Sequence, residues 1–331
     1  MDTNKLILVT GGAGYVGAML VRKLLESGFC VRVIDSFFFG DRGLRGIEGH
    51  SRLEVIVGDI RDIDIVTKSI KNVDTVIHLA GISNDVRSEV EIKMSEQINF
   101  DATKSLIEIS KESGVNRFVY ASSCSVYGYR DDMTVTELSA VQPLNIYGKT
   151  KVQSEEVVLE NAGENFTCVI LRPATVCGFS PRMRLDLVIN TLTYKAIVDN
   201  KIEIFGRNQT RSNVHIKDLT NCYVSLLETP REKINGQIFN IGYENNTILE
   251  LAKIVMKTVG EEVELVTRDT VDNRSYRVSS EKIEHQLGFV PVYSVEDAVI
   301  DISAAYRNGL IPNPDNSIYR NVRHLRENRI V

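Results

Sequence analysis

Three side chains near the middle of the chain have the types and spacing for proton transfer. In Tyr147-Gly148-Lys149-Thr150-Lys151, a phenol and an ammonium stand four residues apart, on one face of a helix. An ammonium close to a phenol favours the phenolate, which suits Tyr147 to act as a base near neutral pH. The pair follows the helix-breaking Pro143 and opens a helical pattern, downstream of an apolar segment that ends at Ser122-Ser123. Ser123 is then a candidate to hydrogen-bond the reacting oxygen; the plainer reading is a serine that caps the strand end. The Tyr-x-x-x-Lys spacing recurs on solvated helices, so its place in the chain is what gives it meaning.

The partner for such a base is indicated at the other end of the chain. Leu6 to Val9 is a short apolar run, as expected of a parallel strand buried on both faces. Gly11, Gly14 and Gly17 follow within Thr10-Gly11-Gly12-Ala13-Gly14-Tyr15-Val16-Gly17, and a helical apolar pattern starts at once with Val16, Leu20 and Leu24. Glycines there serve a tight turn, close backbone approach to a pyrophosphate, and close helix–strand packing. The helix presents its unpaired N–H groups and positive dipole end to the phosphates. A second apolar strand, Cys30 to Ile34, ends in Asp35, where a carboxylate accepts both ribose hydroxyls. Asp35 would repel a 2′-phosphate, and no Arg or Lys lies between residues 33 and 41, so NAD is expected over NADP. A cationic nicotinamide would further favour the Tyr147 phenolate.

The elements that must position these residues alternate. After the Asp35 strand, Phe37-Phe38-Phe39, Leu53–Val57, Val73–Leu79, Val115–Ala121 and Phe166–Leu171 read as strands. Helical patterns lie between them, notably Glu96–Ser113 and Ile146–Glu160. This order predicts an α/β fold, a right-handed, doubly wound parallel Rossmann sheet. Small or polar residues mark the strand tips at Gly58-Asp59-Ile60, His78-Leu79-Ala80-Gly81, Ala121-Ser122-Ser123 and Arg172-Pro173-Ala174, so one crevice should gather them. Beyond residue 173 the alternation loosens. Gly178-Phe179-Ser180-Pro181-Arg182 reads as a loop, Leu185–Lys195 as a helix, Asn200–Asn213 as a polar connection, and Asp218–Glu228 as a helix. Gln237–Gly242 reads as a strand, with helices at Leu249–Val259, Ser280–Leu287 and Val295–Arg307. The expected division is a dinucleotide-binding domain over 1–173, rejoined by about 212–230. A smaller mixed α/β substrate-binding lobe takes 174–211 and 231–331, including a tail from Asn308 that reads as a solvated or surface-packed arm.

Composition bounds the rest. The chain has 331 residues, 43% hydrophobic and 25% charged, enough for a large core and ordinary for a soluble globular protein. A net charge of −5 provides no general attraction to nucleic acid or anionic membrane, so neither is an expected partner. No stretch approaches the ~20 apolar residues of a spanning helix, and the strand at Leu6 leaves no room for a signal peptide. The five cysteines (Cys30, Cys124, Cys168, Cys177, Cys222) are scattered without a Cys-x-x-Cys, which reads as reduced thiols in a cytoplasmic protein. The five histidines show no ligand spacing, and no metal is expected.

Taken together, the motifs resemble the extended short-chain dehydrogenase/reductase family, the nucleotide-sugar epimerases and dehydratases of the UDP-glucose 4-epimerase type. They are Thr10–Gly17, Gly58–Ile60, His78–Gly81, Ser122–Gly128, Tyr147–Lys151, Leu171–Gly178 and Val214–Leu219, in family order. The resemblance implies that Gly11, Gly14, Tyr15, Val16, Gly17, Asp35 and Ser36 hold NAD. It further implies Asp59 and Ile60 at the adenine, Leu79, Ala80 and Gly81 along the dinucleotide, Asn99 near the active-site helix, and Pro173 facing the nicotinamide. Tyr147 is the implied base, with Lys151 on the nicotinamide ribose and Ser123 assisting. Ser125, Asn190, Arg211, and Arg274 or Arg277 are the implied contacts to a nucleoside-diphosphate sugar. His215 matches a family histidine and reads as a satisfied core residue. A homodimer through the helices Glu96–Ser113 and Ile146–Glu160 is expected on the same ground.

Departures from the family pattern sort the chemistry. The 4,6-dehydratases carry Asp-Glu after the active-site serine or threonine, where this chain has Cys124-Ser125. Without that acid pair, elimination at carbon 6 lacks its usual proton donor and base. Gly178–Asp186 looks like a subgroup acting on unusual sugars; Thr175, Ser212 and Asn213 replace common family residues and leave sugar and base open. The expected reaction is epimerisation by transient oxidation of the sugar 4-hydroxyl. The alternatives are net oxidation or reduction, a non-standard dehydratase using Cys124 or Ser125, and a non-catalytic NAD-binding regulator. A regulator has no need of the intact Ser123, Tyr147 and Lys151 set.

Overall fold

The computed structural model describes residues 5–83, 89–130, 133–260, 262–269 and 275–328. Seven parallel strands make the central sheet, in the order Gln237–Ile241, Thr167–Pro173, Arg117–Ala121, Thr75–His78, Leu6–Thr10, Cys30–Asp35, Leu53–Val57. The order reverses direction between Leu6–Thr10 and Thr75–His78, and in such sheets ligands bind beyond the strand ends at that point. Alternate side chains of each strand serve two separate cores. Val9, Val33, Ile77, Val119, Leu171 and Phe239 pack against the helices Tyr15–Glu26 and Ile216–Glu228 on one face. Leu8, Ile34, Val76, Phe118 and Ile170 pack against Ile63–Ser69, Ala102–Glu112 and Ile146–Asn161 on the other. The sheet is therefore doubly wound, as its buried-on-both-faces strands require.

Strand Thr167–Pro173 leaves the central sheet at Ala174 and continues as Thr175–Cys177, which pairs parallel with Thr210–His215. Thr210–His215 pairs antiparallel with Glu244–Thr247. A third core, with Ile189, Leu192, Ile202, Leu251, Val255 and Val299, joins the helices Val188–Asp199, Ile248–Val259 and Val295–Arg307 to the parallel pair Lys201–Phe205 and Glu264–Arg268. The helix Ile216–Glu228 lies against Tyr15–Glu26, and Gln237–Ile241 is the edge strand of the central sheet, so the chain returns to it twice.

Five segments differ from the sequence expectation. Phe37-Phe38-Phe39 is a turn and not a strand: Phe37 has φ +55°, and its N–H is held by the Asp35 carboxylate at 2.8 Å, which bends the chain back over the crevice. The expected helix Glu96–Ser113 begins earlier, as Glu89–Glu96, and is interrupted by a wide π-type turn, Gln97–Asp101, before Ala102–Glu112. Asn200–Asn213 is two strands rather than a connection; Lys201–Phe205 buries Ile202 and Ile204 and exposes the residues between them. The helix placed at Leu185–Lys195 runs Val188–Asp199, because Leu185 turns into a core with Tyr15, Tyr194 and Tyr319. The tail is built in: Tyr319 and Leu325 are buried, and Asn321–Glu327 is a helix.

Candidate active site

A cleft of about 500 Å³ runs along the carboxyl ends of the central strands and meets the smaller lobe at Thr175, Leu187 and Arg211. At one end it is floored by the glycine turn. Gly11 has φ +72°, and a Cβ there would lie 2.8 Å from Ala80 N; a Cβ on Gly17 would lie 2.2 Å from Gly11 O. The turn and the helix can come this close only with glycine at both places. The helix Tyr15–Glu26 starts on Gly14 with no side-chain cap and no acid in its first turn, an arrangement that suits its first N–H groups to an anion. The Asp35 carboxylate accepts from Ala13 N (2.9 Å) and Phe37 N (2.8 Å), which fixes it at the lip of the cleft. Burial raises its pKa, against those two bonds and the charge of Arg182. Val16, Ser36, Asp59, Ile60, Leu79, Ala80 and Gly81 line the same stretch. A glycine cradle, an uncapped helix start and a fixed carboxylate fit a dinucleotide with free ribose hydroxyls.

The other end holds Ser123, Tyr147 and Lys151. Helix Ile146–Asn161 begins where Asn145 accepts from Gly148 N at 2.9 Å. A Cβ at Gly148 would meet Pro143 Cβ at 2.8 Å, so the helix start is seated tightly on the preceding loop. This aims Tyr147 at the strand tip, where it lines the cleft beside Ser123. Lys151 lies a turn deeper, 5% exposed, with Nζ donating to Ala121 O at 2.6 Å and standing 4.7 Å from the Tyr120 ring centroid. Burial pushes its pKa down to about 8, with Glu155 opposing. Burial raises the pKa of Tyr147; the Ser123 hydroxyl and the Arg184 charge act against it. The cation that lowers it is thus Arg184, whereas the spacing in the sequence points to Lys151, whose Nζ stands 5.7 Å from the Tyr147 ring centroid.

Below this trio a buried network holds the two elements together. Arg172, on the strand before Pro173, meets Glu155 of the active-site helix through Nε (2.8 Å) and Nη2 (2.6 Å), and Glu155 also takes Ser122. Tyr127 bridges Arg172 Nη1 (2.9 Å) to Asn240 (2.7 Å). Cys124 is buried with Sγ donating to Arg172 O at 3.1 Å, turned away from the cleft. Ser125 lines the cleft, and its buried Oγ has no hydrogen-bond partner among the described residues.

The remaining expected site residues are distributed unevenly. Tyr15 and Pro173 line the cleft, although the Tyr15 hydroxyl donates back to Gly178 O at 2.7 Å. Arg211 reaches it from strand Thr210–His215. Asn99, in the π-type turn, does not line it; its Oδ1 accepts from Ile82 N at 2.7 Å and its Nδ2 donates to Ile82 O at 3.0 Å, fixing the backbone beside Gly81. Asn190 is fully buried, donating to Tyr15 Oη (3.1 Å) and Arg184 O (2.9 Å) and accepting from Gly178 N (3.2 Å). Its structural place is behind the wall. Arg274 lies outside the described residues, and Arg277 is exposed on strand Arg277–Val278. His215 caps the helix Ile216–Glu228 by accepting from Lys217 N at 3.1 Å. Sequence reasoning assigned no site role to Arg182, Arg184, Asp186 and Asn321, all of which line the cleft. Arg184 pairs with Asp186 (2.9 Å) and donates to Ser83 Oγ (2.8 Å). The alternation of arginines after Pro181 was a usable signal; nothing marks Asn321.

Among the described residues, no group of three or more His, Cys, Asp or Glu is placed to hold a metal ion, and no helix is long and apolar enough to cross a membrane. The model of the NAD-dependent epimerase/dehydratase family matches residues 7–242. UDP-glucose 4-epimerase 2 of Arabidopsis thaliana is 28% identical over 90% of this chain and 94% of its own. A protein described as a putative UDP-glucose 4-epimerase of Methanocaldococcus jannaschii is 30% identical over 89% of this chain and 96% of its own. Among solved structures, the UDP-glucuronic acid 4-epimerase of Bacillus cereus, in complex with UDP-glucuronic acid and NAD, superposes with a TM-score of 0.83. It is 28% identical and is matched over 92% of this chain and 99% of its own. With its glycine cradle, fixed lip carboxylate and Ser-Tyr-Lys trio, this chain belongs to the NAD-dependent epimerase/dehydratase family and is an enzyme that uses NAD.

Proposed function

We propose that this enzyme is a nucleotide-sugar 4-epimerase that oxidises the sugar 4-hydroxyl transiently and reduces it again from the other face. The observation that carries the reading is that Ser123, Tyr147 and Lys151 line the end of the cleft opposite the glycine cradle, with Lys151 anchored on Ala121 O beneath the other two. NAD, when bound, supplies a hydride acceptor beside that pair and a positive ring that lowers the phenol pKa. Tyr147 takes the proton of the 4-hydroxyl and later returns it; Ser123 holds the same oxygen; Lys151 binds the nicotinamide ribose. Ser125, which lines the cleft, contacts the sugar, and Arg211 contacts the diphosphate. Binding through the nucleoside diphosphate leaves the hexose able to turn over between the two hydride transfers, a positioning role. The inward-bonded Cys124 leaves no acid–base pair for elimination at carbon 6. The relatives named above make UDP-hexoses the first substrates to test.

The division of labour we assign gives NAD to residues 1–173 and the segment rejoining them near 212–230, and the sugar nucleotide to the smaller lobe. A homodimer through the helices Ala102–Glu112 and Ile146–Asn161 and a cytoplasmic setting belong to the same reading; the five free thiols support a reducing compartment. The deciding experiment releases and identifies the bound nucleotide, then screens nucleotide sugars by mass spectrometry and proton NMR. An epimer has unchanged mass. Loss of water would turn the assignment to a dehydratase, and loss of two hydrogens to a net dehydrogenase.

A further inference from the structure

Arg182 has no part in the reaction just described, yet it is 4% exposed, lines the cleft, and lies over the Phe39 ring with its guanidinium carbon 4.2 Å from the centroid. Nη2 donates to the side chain of Asn321, and Nε has no hydrogen-bond partner. Asp35 and Asp186 act on it only at a distance: no carboxylate among the described residues forms an ion pair with it, and Asp186 is taken by Arg184. Burial pushes its pKa down to about 9, and Arg184 adds to the push. A buried guanidinium without a counter-charge is costly unless an anion joins it.

The position of that anion follows from the neighbours. Arg182 is in electrostatic range of Tyr15 and Asp35, at the start of the glycine-loop helix and the ribose carboxylate. Arg184, two residues on, acts on Tyr147 at the reacting end. Across the cleft, the helix Tyr15–Glu26 begins uncapped on Gly14. Two independent features, an unpaired buried cation and an uncapped helix start, thus face one space. The tail meets Arg182 through Asn321 and is itself tied to the segments around it: Tyr319 O accepts from Leu185 N at 2.8 Å, Asn321 N donates to Asp186 at 3.0 Å, and His324 Nε2 is 2.9 Å from Phe38 O.

We propose that Arg182, oriented by Asn321, clamps the pyrophosphate of the dinucleotide against the helix Tyr15–Glu26, so that the C-terminal segment retains the cofactor. This rests on the NAD reading of the cleft. The test uses full-length protein stripped of nucleotide, with NAD, ADP-ribose, NADP and UDP titrated calorimetrically into wild type, Arg182→Gln, Arg182→Lys and Asn321→Ala. Arg182→Gln should weaken NAD and ADP-ribose alike by about tenfold to a hundredfold, the scale of a lost charged hydrogen bond. Lysine should restore part of that, Asn321→Ala should show a smaller loss, and UDP should be unaffected. The nucleotide-free Gln variant should melt no lower than wild type, since it removes an uncompensated charge. Unchanged NAD affinity in Arg182→Gln overturns the clamp, as does a loss confined to NADP (a 2′-phosphate site) or to UDP (a substrate site). If the Gln variant does not fold, wild-type NAD affinity in both Arg182→Lys and Asn321→Ala overturns it equally. Failure of wild type to bind NAD at all would instead remove the cofactor reading itself.

Discussion

Lys151→Met isolates the free energy stored in one buried ammonium. Lys151 has a pKa of about 8 in the folded chain against an ordinary 10.5, chiefly because burial disfavours the charge. Below pH 8 the lysine is protonated in both folded and unfolded chains, and folding bears the whole penalty. Between pH 8 and 10.5 the folded chain has released the proton and the unfolded chain has not, so stability rises with pH at about 1.4 kcal/mol per unit. Across that window the relief amounts to about 3 kcal/mol, taking 2.5 units at 1.36 kcal/mol each. The methionine variant has no such proton. The assay is urea unfolding of both proteins, stripped of NAD, at pH 7 and pH 10. Other groups titrate in both and cancel, so from pH 7 to pH 10, which covers most but not all of that window, the stability of wild type minus that of the variant should climb by roughly 2.5 kcal/mol, or at least by more than ~1. A difference that stays flat with pH would show that Lys151 is not a strained ammonium, and that its bond to Ala121 O and its seat on the Tyr120 ring offset the burial.

Tyr147→Phe should lower turnover by ~10²- to 10⁴-fold while NAD content stays at the wild-type level, because it removes one hydroxyl and little else; Ser123→Ala should be milder in the same turnover assay. Gly17→Ala should lose bound NAD and melt at lower temperature, since its Cβ would stand 2.2 Å from Gly11 O; full NAD content on release and quantitation would contradict that. Cys124→Ser should keep near-normal activity, as the new hydroxyl can donate to the same Arg172 carbonyl; a large drop would point to a thiol in the chemistry. Light scattering of the purified chain should give about twice its 37.1 kDa, and a monomer mass at micromolar concentration would refute the pairing.

The central sheet was legible because strands buried on both faces can be written with little but apolar residues, and Leu6–Thr10 or Thr167–Pro173 are such runs. Phe37-Phe38-Phe39 is just as apolar but makes a turn, since the Asp35 carboxylate binding Phe37 N decides the backbone locally. In Lys201–Phe205 the period of two was present and short, and its polar surroundings hid it. The Ser-Tyr-Lys trio was readable because each member sits at a fixed offset from a strand tip or helix start. The Arg182–Asn321 contact joins residues 139 apart, and no local pattern encodes it. Asn190 carries the polar residue type of a ligand contact, and only the fold shows that its three bonds are spent on Gly178, Arg184 and Tyr15.

Two neighbouring strands cross from the central sheet to the smaller lobe with almost no slack. Thr167–Pro173 becomes Thr175–Cys177 after Ala174, and Gln237–Ile241 becomes Glu244–Thr247 after Gly242 and Tyr243. Ala174 N donates to Ile241 O at 2.8 Å, lacing the crossings side by side. Such a pair ties the place of Thr175 in the smaller lobe to that of Pro173 in the central sheet, since Ile241 is the strand partner of Pro173. Lengthening either crossing by one residue would loosen that tie while leaving the cores on both sides intact.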